Sequence, residues 1–172
     1  MLRRLRENGP VLLVPAAWTL ATLGHAGLVE TRTVFIAHLV MDVVLIAFAG
    51  LSWSDMAEGT LRVWRTVLVA GLGVTLVGTV GFLLTPPNST LLAVAVVGWM
   101  LLPAAGLWLT GRDVPAGEAP RVYTAGAVLS LLGAVVYLPA FLGFLSIEAF
   151  LLALTLTNVG QTAGIANAVY QY

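Results

Sequence analysis

The chain has 172 residues, of which 59% are apolar and 9% charged, with a mean hydropathy of +0.98 and a formal net charge of zero. A soluble domain carries about 25% charged residues, so this composition is typical of an integral membrane protein and gives no argument for a nucleic-acid partner. Because the chain has no cysteine, disulfides, thiolate metal sites and iron–sulfur clusters are excluded.

The apolar runs predict an all-α membrane protein with six transmembrane helices. A span needs about 20 apolar residues. Six runs meet that requirement, at 10–29, 34–53, 65–85, 90–110, 121–143 and 147–170. The connections between them are short, so we predict a single polytopic membrane domain over 1–172. The first run lacks a convincing cleavage site and is interpreted as a retained helix rather than a signal peptide.

Short internal similarities predict three helix-hairpin repeats that form a compact bundle. The segment LRRLR at 2–6 resembles LRVWR at 61–65, and AGL occurs at both 49–51 and 105–107. The predicted repeat units are approximately 1–59, 60–119 and 120–172.

The distribution of arginines predicts the orientation in a cell membrane. Under this topology Arg32 lies alone on one side of the bilayer. All other arginines lie on the opposite side: Arg3, Arg4, Arg6, Arg62, Arg65, Arg112 and Arg121. Since positive charge is enriched in cytoplasmic loops, both termini are predicted to be cytoplasmic.

The two histidines predict a cofactor or metal site between the first two helices, near the outer face. They flank the polar break ETRT at 30–33. A turn centred on that break would put His25 and His38 equally deep, about 10 Å into antiparallel helices. Asp42 follows His38 by one turn on the same face. Imidazole is the usual nitrogen ligand of haem iron, copper and zinc, carboxylate offers a third donor, and Met41 offers a soft axial ligand.

The same residues admit other interpretations. In one, Asp42 accepts a hydrogen bond from a histidine and the cluster is structural. In another, the cluster handles protons or a substrate, because ionisable groups inside a membrane are by default functional. For a bound group, we expect haem b in preference to a copper or zinc ion.

One helix carries a resemblance to a known family. Ala37-His38-Leu39, followed by LIAFAGL at 45–51, resembles the helix with a haem-ligand histidine in subunit I-like proteins of the haem–copper oxidase superfamily. The resemblance implies a haem ligand at His38. The chain has no further histidines for a copper centre or a second haem, so oxygen reduction of the full-oxidase kind is not implied.

Polar residues in the last two predicted helices admit two interpretations. Asn158 and Gln161 are three residues apart on one helix face, and Tyr137 lies in the fifth helix. They could line a polar path, or they could hydrogen-bond between helices to carbonyls that prolines leave free. Such prolines occur inside predicted spans, at Pro15, Pro103 and Pro139.

The leading functional hypothesis is therefore a small membrane cofactor protein for electron transfer, sensing or metal handling. One alternative is a small ion or proton transporter or channel in which Asp42, the histidines and the polar residues of the last helix mark the path. Another is a cofactor-free accessory subunit of a membrane complex. The predicted partners are the lipid bilayer and either further copies of the chain or a larger membrane complex.

Overall fold

The structure, a computed structural model, describes residues 2–171 and the side chains of residue 9 and of 11–171. Within these residues it contains a short 3₁₀ helix, Ala116–Glu118, and six α-helices. They are α1 (Leu2–His25), α2 (Thr31–Ser52), α3 (Gly59–Leu83), α4 (Ser89–Asp113), α5 (Pro120–Phe141) and α6 (Ile147–Gln171). The predicted all-helical fold with six helices is confirmed.

Five of the helices, α2 to α6, are long and apolar enough to cross a bilayer. In α1 the apolar part is shorter and runs from Val11 to His25. The side chains of Arg3, Arg4 and Arg6, on which part of the predicted orientation depends, lie outside the described residues. The chain is thus built for a lipid environment, where helices satisfy their own backbone hydrogen bonds.

The predicted end of the first helix is wrong by one turn. α1 ends at His25 because Gly27 adopts a left-handed backbone with φ of 70°. The amide of Leu28 bonds to the carbonyl of Leu23 at 2.9 Å, and that of Gly27 to Gly24 at 3.1 Å. These two bonds form a Schellman motif, which closes a helix. The polar break is therefore not the centre of the turn, since α2 already begins at Thr31.

Four helices, α1, α4, α5 and α6, form the centre of the molecule, which we call the core quartet. α5 and α6 approach most closely, with Gly126 backed against Gly160 and Gly133 against Thr157. Small residues allow such approach in a membrane, where no hydrophobic force joins two helices. The main buried cluster draws on all four helices: Trp18, Ala93, Met100, Ala134, Tyr137, Ala153 and Leu154.

The remaining helices, α2 and α3, form an outer pair. α3 packs on α4, α2 packs mainly on α3, and the contact between α1 and α2 is slight. The side chains of α2 are largely exposed, with only Asp42, Leu45 and Ser52 buried. α1 and α2 touch only slightly, because α1 turns its buried face to the core quartet. The repeat relationship between the three units stays a prediction.

Candidate functional site

His38 lies in a slot on α3. Its Nε2 is 2.8 Å from the carbonyl oxygen of Thr75. Since a carbonyl only accepts, Nε2 carries the proton and donates it. The ring lies edge-on to Phe82, with centroids 5.4 Å apart. Gly78 makes the slot possible, because a Cβ there would lie 2.7 Å from Nε2 and 2.9 Å from the Cβ of Ala95 on α4.

Asp42 follows His38 by one helical turn and is only 7% exposed. The hydroxyl of Thr79 donates to its Oδ2 at 2.6 Å. Its Oδ1 is fully enclosed and has no hydrogen-bond partner among the described residues. α3 offers no charged side chain near Asp42, since it carries no charged residue after Arg65. A buried carboxylate with one unsatisfied oxygen is costly unless something neutralises it.

His25 lies in a different place, between α1, α5 and α6. Its Nδ1 is 2.8 Å from the carbonyl of Ala21, so Nδ1 carries a proton. In the neutral ring Nε2 then accepts from the hydroxyl of Tyr137, 3.0 Å away. Phe150 completes an aromatic cluster, with its ring centroid 5.4 Å from that of His25 and 5.1 Å from that of Tyr137.

The structure does not bring the two histidines together. Their hydrogen bonds and ring contacts go to different helices, and none joins one to the other. The equal-depth premise also fails, because His25 is the last residue of α1 while His38 lies two turns inside α2. Among the described residues, no group of three or more His, Cys, Asp or Glu side chains could hold a metal ion. Met41 is half-buried beside Asp42. Haem binding and metal binding stay predictions.

Gln161 joins the helices of the core quartet. Its amide nitrogen donates to Ser130 and to the carbonyl of Trp99, both at 2.8 Å, and its oxygen accepts from Trp18 at 2.9 Å. The Trp99 carbonyl needs this donor because Pro103, four residues on, has no N–H to offer it. This geometry corresponds to the interhelical interpretation of Gln161, with a proline-freed carbonyl as acceptor.

Asn158 makes a weaker contact at the edge of the same helix. It is half-buried, and its amide nitrogen is 3.5 Å from the hydroxyl of Thr19 on α1. Its side-chain oxygen accepts from Thr162 at 3.0 Å. Tyr137, the third polar residue singled out, is buried and bonds to His25. The three residues therefore have different hydrogen-bond partners, and the polar path stays a prediction.

Hydrogen bonds connect the outer pair to the core quartet through Thr75. Its hydroxyl accepts from the indole nitrogen of Trp99 at 2.8 Å, and its carbonyl accepts from His38. Trp99 in turn is bonded to Gln161 through its carbonyl. This chain of contacts, with Trp18 and Ser130 at its end, touches all six helices.

Sequence reasoning did not identify the threonines of this site. Thr75 and Thr79 are four residues apart on α3, which is the same spacing as that of His38 and Asp42 on α2. Two polar pairs at matching helical spacing on consecutive spans were the available signal. Comparisons with protein-family models, curated proteins and solved structures found no match.

Proposed function

We propose that the protein binds a monovalent cation, a proton or an alkali-metal ion, at Asp42 and passes it through the membrane. The observation that carries this proposal is the enclosed Oδ1 of Asp42, which lacks any partner in the described structure. A buried carboxylate inside a membrane span is costly unless a cation or proton neutralises it. Ionisable residues within membrane spans therefore mark ion or proton pathways by default.

Among the described residues, the hydrogen bond of the Asp42 carboxylate is with an oxygen atom and not with a positively charged side chain. The hydroxyl of Thr79 contacts one carboxylate oxygen, whereas the carbonyl of Thr75, one turn earlier on α3, already accepts from His38. Oxygen donors are those that hard cations prefer. A bound proton or a small cation would neutralise the carboxylate, and the cation would also be coordinated by Oδ1. The site lies in the outer pair, whose sparse packing allows ions to enter and leave more readily than the core quartet would.

For the topology we keep the arrangement that the arginines predict, with both termini cytoplasmic. The structure places position 32 at the start of α2 and position 112 near the end of α4. Single cysteines at these two positions should react with impermeant reagents from opposite sides of the membrane. Reaction of both from the same side would contradict the topology.

Flux measurements in proteoliposomes test the function directly. With a potassium diffusion potential imposed, a pH-sensitive dye and a sodium indicator inside the vesicles report the two kinds of cation separately. Asp42→Asn should reduce the flux to the level of empty vesicles, because the amide keeps the shape of the side chain but carries no negative charge to bind a proton or a metal ion. Asp113→Asn, at the exposed end of α4, is the matched control and should keep the flux. Equal flux in wild type and Asp42→Asn would refute the proposal.

A second candidate function is cofactor binding at His25. Ligating histidines usually donate their second ring N–H to a carbonyl or carboxylate, and His25 Nδ1 does so to Ala21. Nε2 then faces the hydroxyl of Tyr137, which a bound group would displace. The residues do not fit a bis-histidine haem, because Nε2 of His38 is committed to Thr75. His25 alone fits one imidazole ligand of haem b, which would supply one-electron chemistry.

Spectroscopy and metal analysis of the purified protein test this candidate. A Soret band that shifts on dithionite reduction would show haem, and elemental analysis would show copper or zinc. His25→Ala should abolish the signal, whereas His38→Ala should leave it. A colourless, metal-free protein that takes up neither haem nor metal would dismiss the cofactor, and the absence of ion flux as well would favour an accessory subunit.

A further inference from the structure

The cation site of the proposed function lies in an interface that few contacts hold together. α2 buries three side chains, and two of its contacts to α3 are polar, His38 to Thr75 and Asp42 to Thr79. An aromatic contact between Phe35 and Phe82, with centroids 5.5 Å apart, lies nearby. The contact of α2 with α1 is slight. Displacement of the His38 ring would therefore remove a large part of what docks α2.

We propose that His38, seated against Gly78, is the positioning residue that docks α2 on α3 and so sets the access of the cation to Asp42. This inference rests on the proposed function. His38 acts through geometry here: its Nε2–H donates to the Thr75 carbonyl while Asp42, one turn on, meets Thr79. Both bonds use the same face of α2 and the same face of α3, so the ring and the carboxylate dock together.

Gly78 is the reason that the ring fits. A methyl group at this position would lie 2.7 Å from Nε2 and 2.9 Å from Cε1 of the ring. Real Cβ atoms essentially never come so close, so the ring has to leave the slot. The ring is the far end of a side chain on the sparsely packed helix, and it can swing out without disturbing the core quartet. In an Ala95→Gly background, which removes the clash with α4, Gly78→Ala should therefore undock the His38 ring, a contact that we call the latch, and preserve the fold.

The matched control is Gly73 on the same helix. It is exposed, and nothing lies within 4 Å of a Cβ built there. Gly73→Ala changes the same residue type by the same methyl group in open space. Because the new methyl at 78 would also lie 2.9 Å from the Cβ of Ala95, Ala95→Gly is added to every arm. The difference between the arms then reports on the His38 contact alone.

Access to Asp42 is measured with N,N′-dicyclohexylcarbodiimide, an apolar reagent that enters from the bilayer. The carboxyl group adds across a C=N bond of the reagent, its proton goes to the reagent nitrogen, and the acyl group migrates to give a stable N-acylurea. Mass spectrometry of the full chain in vesicles gives the rate at Asp42. Gly78→Ala should raise this rate about tenfold, the factor expected when a steric clash weakens docking, and Gly73→Ala should leave it unchanged.

Substitutions of His38 separate positioning from a merely structural role. His38→Gln retains a nitrogen donor that can reach the Thr75 carbonyl, and it should keep both the slow modification rate and the cation concentration that gives half-maximal flux. His38→Leu fills similar volume without a donor, and it should raise both, with the unfolding midpoint of the protein unchanged. Rescue by glutamine and loss with leucine would support the latch.

Each remaining outcome contradicts a specific statement. A modification rate at Asp42 that is the same in wild type, Gly78→Ala and His38→Leu overturns the inference, including the case in which no variant is modified at all. If Asp42→Asn still lowers the flux in that case, the proposed function stands without the latch. If Asp42→Asn carries normal flux, the proposed function fails, whatever the modification rates show.

Discussion

The core quartet and the outer pair differ in whether their buried polar groups have hydrogen-bond partners. In the core quartet, the amide of Gln161 is 2% exposed and every one of its hydrogen-bonding atoms has a partner. In the outer pair, Asp42 is 7% exposed and one of its two oxygens has no partner among the described residues. The first is a satisfied network in the most closely packed part of the molecule. The second is a carboxyl group with an unpartnered oxygen in a less closely packed part.

The contrast distinguishes residues expected to determine stability from the residue proposed to bind a cation. A buried amide with all its partners joins helices and rigidifies the core. A carboxylate with an unpartnered oxygen adds little stability, and the cation proposed above would complete it. The closest approach of two helix backbones through glycine likewise lies in the core quartet, at Gly126 against Gly160. We therefore expect substitutions in the quartet to change the free energy of unfolding and substitutions at Asp42 to change ion flux.

The largest effect is expected from the glycine contact between α5 and α6. In Gly126→Ala the new methyl would meet the backbone carbonyl of Gly160, which cannot move aside unless the helices separate. We expect a loss of about 3 kcal/mol in the free energy of unfolding. Thermal or denaturant unfolding in mild detergent measures it.

Gly73→Ala serves as the control for this prediction, since its methyl would enter open space on the outer pair. It should be neutral or stabilising by up to about 1 kcal/mol, as expected for glycine replaced by alanine in a helix. If Gly126→Ala and Gly73→Ala lowered the free energy of unfolding equally, the proposed difference in packing between the core quartet and the outer pair would be contradicted.

An intermediate effect is expected at Gln161. In Gln161→Leu three hydrogen bonds disappear, and the indole N–H of Trp18 and the carbonyl of Trp99 stay buried without their partner. We expect a loss of about 2 kcal/mol, since interhelical hydrogen bonds in membranes each contribute less than about 1.7 kcal/mol. The same unfolding assay measures it.

Asn158→Leu is the natural comparison, on the same helix and one turn away. Its interhelical contact to Thr19 is long, at 3.5 Å, and the residue is only half-buried. The loss should be about 0.5 kcal/mol. If Asn158→Leu destabilised the protein more than Gln161→Leu, the network around Gln161 would not be the main polar contact of the core.

Little effect on stability is expected at Asp42 itself. Asp42→Asn keeps an oxygen that can accept from Thr79 and removes a buried ionisable group. The free energy of unfolding should change by less than about 1 kcal/mol, even though the flux is lost. A large destabilisation would show that Asp42 is structural, which is the cluster interpretation of the sequence, and would break the contrast between the two regions.

The sequence predicted some features of the site for sound local reasons. Pro103 inside a span predicts a backbone carbonyl that lacks its helical hydrogen bond. Gln161 donates to that carbonyl, which belongs to Trp99. The spacing of His38 and Asp42 correctly puts them on one face. The predicted pairing of His25 with His38 assumed a turn centred on the polar break, and the structure puts their hydrogen bonds on different helices. Gly27 ends α1 earlier than the polar break suggested, and that shift separates the two depths.

Composition and run length by themselves determined that the protein is an all-helical membrane protein with six helices and short connections, because apolar length is a local property of the chain. Which helix packs on which was decided only in the tertiary structure. Helices that are apolar all round carry no stripe that identifies their partner, so the choice depends on small residues such as Gly126 and Gly160 meeting across an interface. For the same reason Thr75 and Thr79 became partners of His38 and Asp42 only once α3, rather than α1, lay beside α2.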